Sequence, residues 1–241
     1  MPAASDDKAL PQLVQKLTKA LGTDLVSVVL YGSAASGNHH EKFSDYNVLC
    51  VLTEITPVHL RATEAIFRWW REQGNPSPLL LTEHEVRTST DCFAIEFHDI
   101  REHNRILYGA DVVSSLTIDD CFYRGQVERE LRAKLLRLRQ KASGILSDKD
   151  VLRRLLGDSI STFCILFRHA LILHGVDGPA RKREIVARAQ ERFGIDPAPF
   201  LTLLDLREER AKAKEIEPEA LLAAYMREIG KVIDAVDVLE K

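Results

Sequence analysis

The chain has 241 residues, of which 45% are hydrophobic and 29% are charged. This composition is typical of a folded protein with one large or two small domains, and it excludes a mainly disordered chain. The formal net charge of -3 excludes a basic field over the whole surface, so there is no strong signal for nucleic-acid binding. Any site for a polyanion must therefore be local.

Two stretches bear on where the protein acts. Residues 1–8 lack the basic region and the apolar region of a secretory signal. The most apolar stretch, 160–173, contains Arg168 and His169 and is shorter than the ~20 apolar residues of a membrane span. We therefore expect a cytoplasmic protein with no membrane partner, in which 160–173 is part of a buried helix.

The cysteines are far apart in the sequence and form no C-x-x-C pair of the kind used in zinc or redox sites. They lie in apolar segments, at Cys50, Cys92, Cys121 and Cys164. We therefore expect buried free thiols, as in a reducing cytosol.

Apolar periodicity predicts helices and strands in alternation over the first half of the chain. Residues 10–21 place leucines at helical spacing before Gly22, which is suited to ending a helix. Short apolar and β-branched runs predict strands, and Gly and Pro residues separate them. The predicted elements are a helix over 10–21, strands over 26–31 and 48–52, a helix over 57–73, and strands over 79–81 and 93–97.

The strand signal ends after Gly109, and every later segment favours helix. Helices joined by short connections predict a bundle. The sequence therefore predicts an α+β fold, with a mixed sheet and helices in a domain over 1–116 and an all-α helical bundle in a domain over 117–241. The predicted bundle helices cover 120–146, 150–175, 180–193, 200–214 and 218–239.

The most informative part of the sequence is the polar stretch between the first two predicted strands. Gly32 and Ser33 follow the first strand, and the run Ser44-Asp45-Tyr-Asn47 leads into the second. A glycine lets the backbone turn and approach a ligand closely, and a serine at a helix N-terminus offers its hydroxyl and an amide to phosphate oxygens. Because side chains alternate along a strand, we expect Asp45 and Asn47 on the same side.

This pattern resembles the nucleotidyltransferase superfamily, in which a strand ends in Gly-Ser and the next strand carries Ser-Asp-x-Asp. The resemblance covers about 26–109, including an Ile-Leu-Tyr-Gly run at 106–109, and the helical second half is similar to that of the aminoglycoside nucleotidyltransferases. It implies a nucleotidyltransferase-like mixed sheet and a bound nucleoside triphosphate, with Gly32 and Ser33 as nucleotide-binding residues. It also implies Mg²⁺ held by carboxylates.

The carboxylate pattern of this superfamily is incomplete here. The resemblance makes Asp45 and Asn47 the metal-binding and catalytic candidates, but Asn47 stands where the superfamily usually has a second acid. A third carboxylate is expected on a neighbouring strand. The strand over 79–81 has no acid, whereas Glu96, in the strand predicted over 93–97, fits a hydrophobic-acid-hydrophobic pattern. Glu96 is therefore the third catalytic candidate.

Two other groups of polar residues have weaker functional readings. Asp99 and His103 are four residues apart, which suits a metal cluster on one helix face, although a solvated face explains the spacing more simply. The predicted helix over 120–146 is amphipathic, and its basic face is either solvated or lines a cleft that meets a triphosphate. Its cations are Arg129, Arg132, Lys134, Arg137, Arg139 and Lys141.

Three functions stay open at this point. The first is an enzyme that transfers a nucleoside monophosphate to a hydroxyl of a small-molecule or protein acceptor. The second, which Asn47 favours, is a catalytically silent nucleotide-binding or regulatory module that retains the fold. The third is a structural partner in which Gly32 and Ser33 make an ordinary turn. The acceptor, the nucleotide preference and the oligomeric state stay open, with a homodimer among the alternatives.

Overall fold

The structure is a computed structural model that describes residues 8–32, 34–35, 46–179 and 181–239. The contacts divide the chain into two units, Met1–Asp120 and Cys121–Lys241. The first is called the sheet unit below and the second the helical unit. The domain assignment from the sequence, 1–116 and 117–241, stays a prediction.

The sheet unit contains a mixed sheet of four strands within the described residues, in the order β3-β2-β1-β4. β1 pairs antiparallel with both β2 and β4, while β3 runs parallel to β2. The mixed sheet expected from the sequence is therefore confirmed. The strands are β1 (Leu25–Tyr31), β2 (Asn47–Leu52), β3 (Leu79–Thr82) and β4 (Asn104–Gly109).

Two helices cover one face of this sheet. They are α1 (Ala9–Leu21), which contributes a stripe of buried leucines, and α2 (Pro57–Glu72), which contributes the fully buried Trp70. Alternate strand residues point to one face, so Val28 and Leu30 of β1 meet these helices. The apolar positions that predicted a helix and two strands are therefore the positions that form this core.

The structure has a helix where the sequence predicted a strand over 93–97. This helix, α4 (Ala94–Glu102), follows the short α3 (Glu83–Thr88). The Phe97 N–H donates to the Phe93 carbonyl oxygen at 2.9 Å, which is the helical bond over four residues. The buried residues Ala94, Phe97 and Ile100 recur every three positions instead of alternating. The strand prediction is wrong because this apolar run covers one helix face.

The helical unit is a bundle, as predicted, and its described residues contain no strand. Aromatic side chains form the centre of its core: the ring of Phe167 lies 5.2 Å from that of Phe200, which lies 5.1 Å from that of Tyr225. All three are buried. The helices are α5 (Tyr123–Ser143), α6 (Lys149–Leu173), α7 (Lys182–Phe193), α8 (Ala198–Arg207) and α9 (Pro218–Asp237).

α6 is long and apolar enough to cross a membrane by length and composition alone. Its apolar side chains, however, are buried within the bundle, including Leu156, Ile160, Phe163 and Phe167. A helix with this pattern is typical of the centre of a helical bundle.

The cysteines differ from the expectation in part. Cys50 and Cys164 are buried, and burial raises the pKa of the Cys50 thiol to about 12. Cys92 and Cys121 are exposed, so the prediction that they are buried is wrong. They lie in turns just before α4 and α5, where the apolar neighbours do not enclose them.

Candidate functional site

Gly32 ends β1 and turns the chain away from the sheet. Its φ of 78° lies in the left-handed region, which glycine adopts without the penalty that a Cβ imposes. The Gly32 N–H donates to the His103 carbonyl oxygen at 2.9 Å, and its own carbonyl accepts from the Ala35 N–H at 2.9 Å. The turn is therefore fixed on one side by the residue that precedes β4.

Asn47 begins β2 directly beside this turn. A Cβ built on Gly32 would lie 3.3 Å from Asn47 Nδ2, which is closer than ordinary van der Waals contact. The absence of a side chain at Gly32 thus makes room for the Asn47 amide. Gly32, predicted to bind nucleotide, and Asn47, predicted to bind metal, are therefore neighbours in space.

A row of neutral polar side chains crosses the sheet at this edge. Tyr31 pairs with Asn47 on β2 and with Asn104 on β4, and residues opposite each other on neighbouring strands share one face. We call Gly32, Tyr31, Asn47 and Asn104 the sheet edge. The sequence missed Asn104, because β4 was not predicted and its pairing with β1 joins residues far apart in the chain.

Burial raises the pKa of the Tyr31 hydroxyl, and the negative charge of Glu96 raises it further. Glu96 therefore acts electrostatically on the sheet edge, although its own side chain is exposed on α4. It is not on a strand, so the strand position predicted for this carboxylate is wrong. The strands beside β2 are β1 and β3, and β3, Leu79–Thr82, carries no acid.

Ser33 and Asp45 lie outside the residues that the structure describes, so their predicted roles stay predictions. Among the residues that it does describe, no group of three His, Cys, Asp or Glu side chains lies close enough together to hold a metal ion. Asn47 offers one neutral amide oxygen, and Mg²⁺ sites depend on carboxylates. A magnesium site at the sheet edge therefore depends on Asp45.

The group around Asp99 and His103 does not form a metal site in the described part of the chain. His98 bonds Asp120 instead, with 2.6 Å between Nε2 and Oδ1. His103 Nδ1 lies 2.8 Å from the Glu102 carbonyl oxygen, and its Nε2 is buried without a hydrogen-bond partner among the described residues. His103 acts on the site through its backbone carbonyl, which the spacing of side chains does not reveal.

The basic face of α5 is divided between ion pairs and a cavity. Arg132 pairs with Glu128 at 2.8 Å and Lys134 with Glu130 at 3.5 Å, four residues back along the helix. Arg137 and Lys141 line a cavity of about 170 Å³ between α5 and α6. Lys134 belongs to both groups, because it also lines this cavity. A role of these cations in meeting a triphosphate stays a prediction.

No protein-family model matches the chain, and no curated protein matches it by sequence. Among solved structures it is similar to spectinomycin adenyltransferase AAD(9) from Enterococcus faecialis, whose crystal structure contains ATP and spectinomycin. The TM-score is 0.63 at 14% identity, and the likeness covers 95% of this chain and 99% of that chain. The chain therefore has the fold of the aminoglycoside nucleotidyltransferases over nearly its whole length, as its Gly-Ser and Ser-Asp-x-Asn motifs suggested.

Proposed function

We propose that the protein binds a nucleoside triphosphate at the sheet edge and transfers a nucleoside monophosphate from it to a hydroxyl of an acceptor. The observation that carries the proposal is the geometry at Gly32, where a left-handed glycine ends β1 against the Asn47 amide. Close approach of phosphate to the backbone needs a position without a Cβ. The likeness to a nucleotidyltransferase structure that contains ATP supports nucleotide binding by this fold.

The role of Gly32 in this proposal is to form the left-handed turn and to leave room for the Asn47 amide beside the ligand. Its N–H is already donated to the His103 carbonyl oxygen, so it does not supply a hydrogen bond to phosphate. The donors must come from the residues that follow, beginning with the Ser33 hydroxyl and backbone amide. Gly32 and Ser33 are therefore assigned different tasks in nucleotide binding.

Magnesium would be held by Asp45 together with Asn47. The Nδ2 end of the Asn47 amide is the end next to Gly32, which leaves Oδ1 as the atom that would bind a cation. When bound, magnesium supplies positive charge to the triphosphate and to the pyrophosphate leaving group. Asp45 and Asn47 contribute one negative charge between them, because an amide is neutral.

The reaction follows from these assignments. The acceptor hydroxyl oxygen forms a bond to the α-phosphorus, and the bond from that phosphorus to the bridging oxygen of the β-phosphate breaks, so pyrophosphate leaves. The hydroxyl proton passes to a base, and Glu96 is the carboxylate we assign to this task because it acts on Tyr31 of the sheet edge. A small molecule is the favoured acceptor, since the similar solved structure contains spectinomycin.

Asn47 supports a second function, a catalytically silent nucleotide-binding or regulatory module. A unit charge lost at about 4 Å corresponds to roughly 4 kcal/mol at an effective dielectric constant near 20. At about 1.4 kcal/mol per tenfold, that loss lowers the rate on the order of a thousandfold. In this module the sheet edge keeps its nucleotide and releases no pyrophosphate.

The test of the nucleotide site is the Gly32→Ala variant, with Gly74→Ala as its matched control. Both glycines have a left-handed φ, 78° and 87°, but a Cβ on Gly74 meets nothing within 4 Å. Both variants should therefore lose a similar amount of stability from backbone strain. We expect only Gly32→Ala to lose affinity for ATP, measured by calorimetry with magnesium on protein shown to be folded. Unchanged affinity in that variant would contradict the proposal.

Pyrophosphate release separates the two functions. Protein that binds ATP with magnesium is incubated with a panel of hydroxyl-bearing acceptors, and pyrophosphate is measured. Release that depends on both the acceptor and Glu96, as tested with Glu96→Gln, supports the transferase. Binding without release across the panel supports the silent module.

A further inference from the structure

A cleft of about 440 Å³ lies within the helical unit, between the first half of α6 and the C-terminal end of α8. Its volume is in the range of small-molecule sites, roughly 300–1,000 Å³. None of the residues proposed for nucleotide binding lines it. We call it the arginine cleft, because Arg153, Arg154 and Arg207 are among its lining residues.

Arg153 is the buried arginine among the residues that line the arginine cleft. Its side chain is only 10% exposed, which is rare for a charged group unless it is paired. Nε donates to the Ile216 carbonyl oxygen at 2.9 Å, and Nη1 donates to Asp150 Oδ1 at 2.7 Å. Nη2 has no hydrogen-bond partner among the described residues. Two hydrogen bonds therefore hold the Arg153 guanidinium in place, and its Nη2 is left to donate to a ligand.

Arg154 and Arg207 have no ion pair or hydrogen bond among the described residues. Arg207 is half-buried, and the acids next to it in sequence, Asp205 and Glu208, do not neutralise it. Both bond Arg183 instead, at 2.6 Å and 2.7 Å from its Nη2. The acidic side chains of α8 thus pair with Arg183, and Arg207 lines the cleft without an ion-pair partner.

Gly157 keeps one wall of the cleft open. It lies inside α6, one turn after Arg153 and Arg154, and its φ is not in the left-handed region. An added Cβ would make only an ordinary contact, 3.9 Å from Leu206 Cδ2. Neither backbone conformation nor packing requires this glycine, although glycine is the poorest helix former after proline. The open wall is consistent with space kept for a ligand.

We propose that the arginine cleft binds a small phosphate ester. Asp150 balances Arg153, so Arg154 and Arg207 leave two positive charges without an ion-pair partner. A phosphate monoester carries about -1.5 to -2 at neutral pH, which matches two guanidinium groups better than one carboxylate would. Asp158 also lines the cleft, and its carboxylate accepts a hydrogen bond from a hydroxyl group on the organic part of the ester.

The test uses the full chain and glycerol 3-phosphate as the probe, at constant ionic strength. The dissociation constant is taken from changes in the amide resonances of the protein, with inorganic phosphate as the comparison. Arg207→Gln removes one guanidinium from the cleft. Arg139→Gln is the matched control, because Arg139 is an exposed arginine of α5 that has no ion pair among the described residues and does not line the cleft.

We expect Arg207→Gln to weaken binding roughly tenfold, since one charge-assisted contact is lost, and Arg139→Gln to leave it unchanged. Asp158→Asn should tighten the binding of inorganic phosphate, because it removes a like charge and leaves an acceptor in place. Glycerol 3-phosphate should bind the native protein more tightly than inorganic phosphate.

Several results would overturn the proposal. They are the absence of saturable binding to the native protein, equal affinity for the ester and the bare ion, and equal effects of Arg207→Gln and Arg139→Gln. Binding of glycerol 3-phosphate that is lost in Gly32→Ala but kept in Arg207→Gln would place the phosphate at the sheet edge. That result would also overturn the proposal.

Discussion

The sheet edge and the arginine cleft are both proposed to bind phosphate, but by different physical means. The sheet edge presents a glycine turn and neutral side chains, Tyr31, Asn47 and Asn104, with Glu96 as the charge that acts on it. The arginine cleft presents guanidinium groups. Binding at the edge must therefore depend on backbone donors and a cation, whereas binding in the cleft depends directly on charge and should weaken more as salt rises.

This difference explains why the overall charge was a poor guide to the sites. A net charge of -3 excludes a general basic field, yet it permits a local basic cleft. It also permits a neutral edge that is suited to an anion only when a metal accompanies it. Substitutions in the sheet unit can test whether binding at the sheet edge depends on the backbone turn and a cation.

The largest effect is expected from Gly109→Ala, which disrupts the pairing of β4 with β1 at the end opposite the sheet edge. Gly109 ends β4 with a φ of 77°, and an added Cβ would overlap the Val26 carbonyl oxygen of β1. Backbone cannot move aside without breaking the pairing of the two strands, so we expect a loss of about 3 kcal/mol or more. The measurement is denaturant unfolding followed by tryptophan fluorescence, because Trp69 and Trp70 both lie on α2 of the sheet unit.

Gly74→Ala is the control for this substitution as well. It imposes the same left-handed strain at 87° without a contact, so we expect a loss of only about 1 kcal/mol. Equal losses in the two variants would mean that the close approach of β4 to β1 at Gly109 does not stabilise the sheet.

A smaller effect is expected from Asn47→Asp, which gives the neutral edge a charge. If Asp45 and Asn47 form one cation site, two carboxylates then share it, and the variant should lose about 0.5–1 kcal/mol of stability without magnesium. Magnesium should reverse the loss, because a ligand at ten times its dissociation constant stabilises by roughly 1.4 kcal/mol. Thermal unfolding with and without magnesium measures both effects.

Asn104→Asp is the matched control, since Asn104 flanks Tyr31 from the opposite strand and has no assigned role in the metal site. It should lose stability without any recovery in magnesium. If the two variants respond to magnesium alike, residue 47 is not a metal ligand, and the proposed transferase function loses its cation site.

The sequence predicts this molecule well wherever one periodic pattern is long or continuous. α6 and the buried runs of β1 and β2 were found at nearly their observed positions, because apolar residues recur there with one period. The segment from Ala94 to Glu102 failed because five residues of a short helix can resemble a strand. Only the packing of the whole chain decides which period applies.

The candidate site was predictable to the extent that its residues are close in sequence. Gly32 and Asn47 flank one connection, and the resemblance to nucleotidyltransferases was enough to associate them. Asn104 joins them only through the pairing of β4 with β1, and Glu96 acts on Tyr31 only because α4 follows a turn that the sequence did not reveal. Such non-local relations are set by tertiary structure and leave no periodic signal.

The smallest effect is expected from Glu96→Gln, which removes the charge that acts on the sheet edge without changing side-chain shape. Burial is the larger cause of the raised Tyr31 pKa and Glu96 the smaller, so the variant should lower that pKa but leave it above the ordinary tyrosine value. A raised folded-state pKa adds stability that is present below the ordinary value and is lost as the pH rises through the folded-state pKa, so this alkaline loss should shrink in the variant. The ring carbon resonance of Tyr31, assigned with Tyr31→Phe, reports the titration, and Glu83→Gln, which changes a half-buried acid of α3, should leave it unchanged. An unchanged Tyr31 titration in Glu96→Gln would separate Glu96 from the sheet edge, and the proposed reaction would then lack both its third carboxylate and its base.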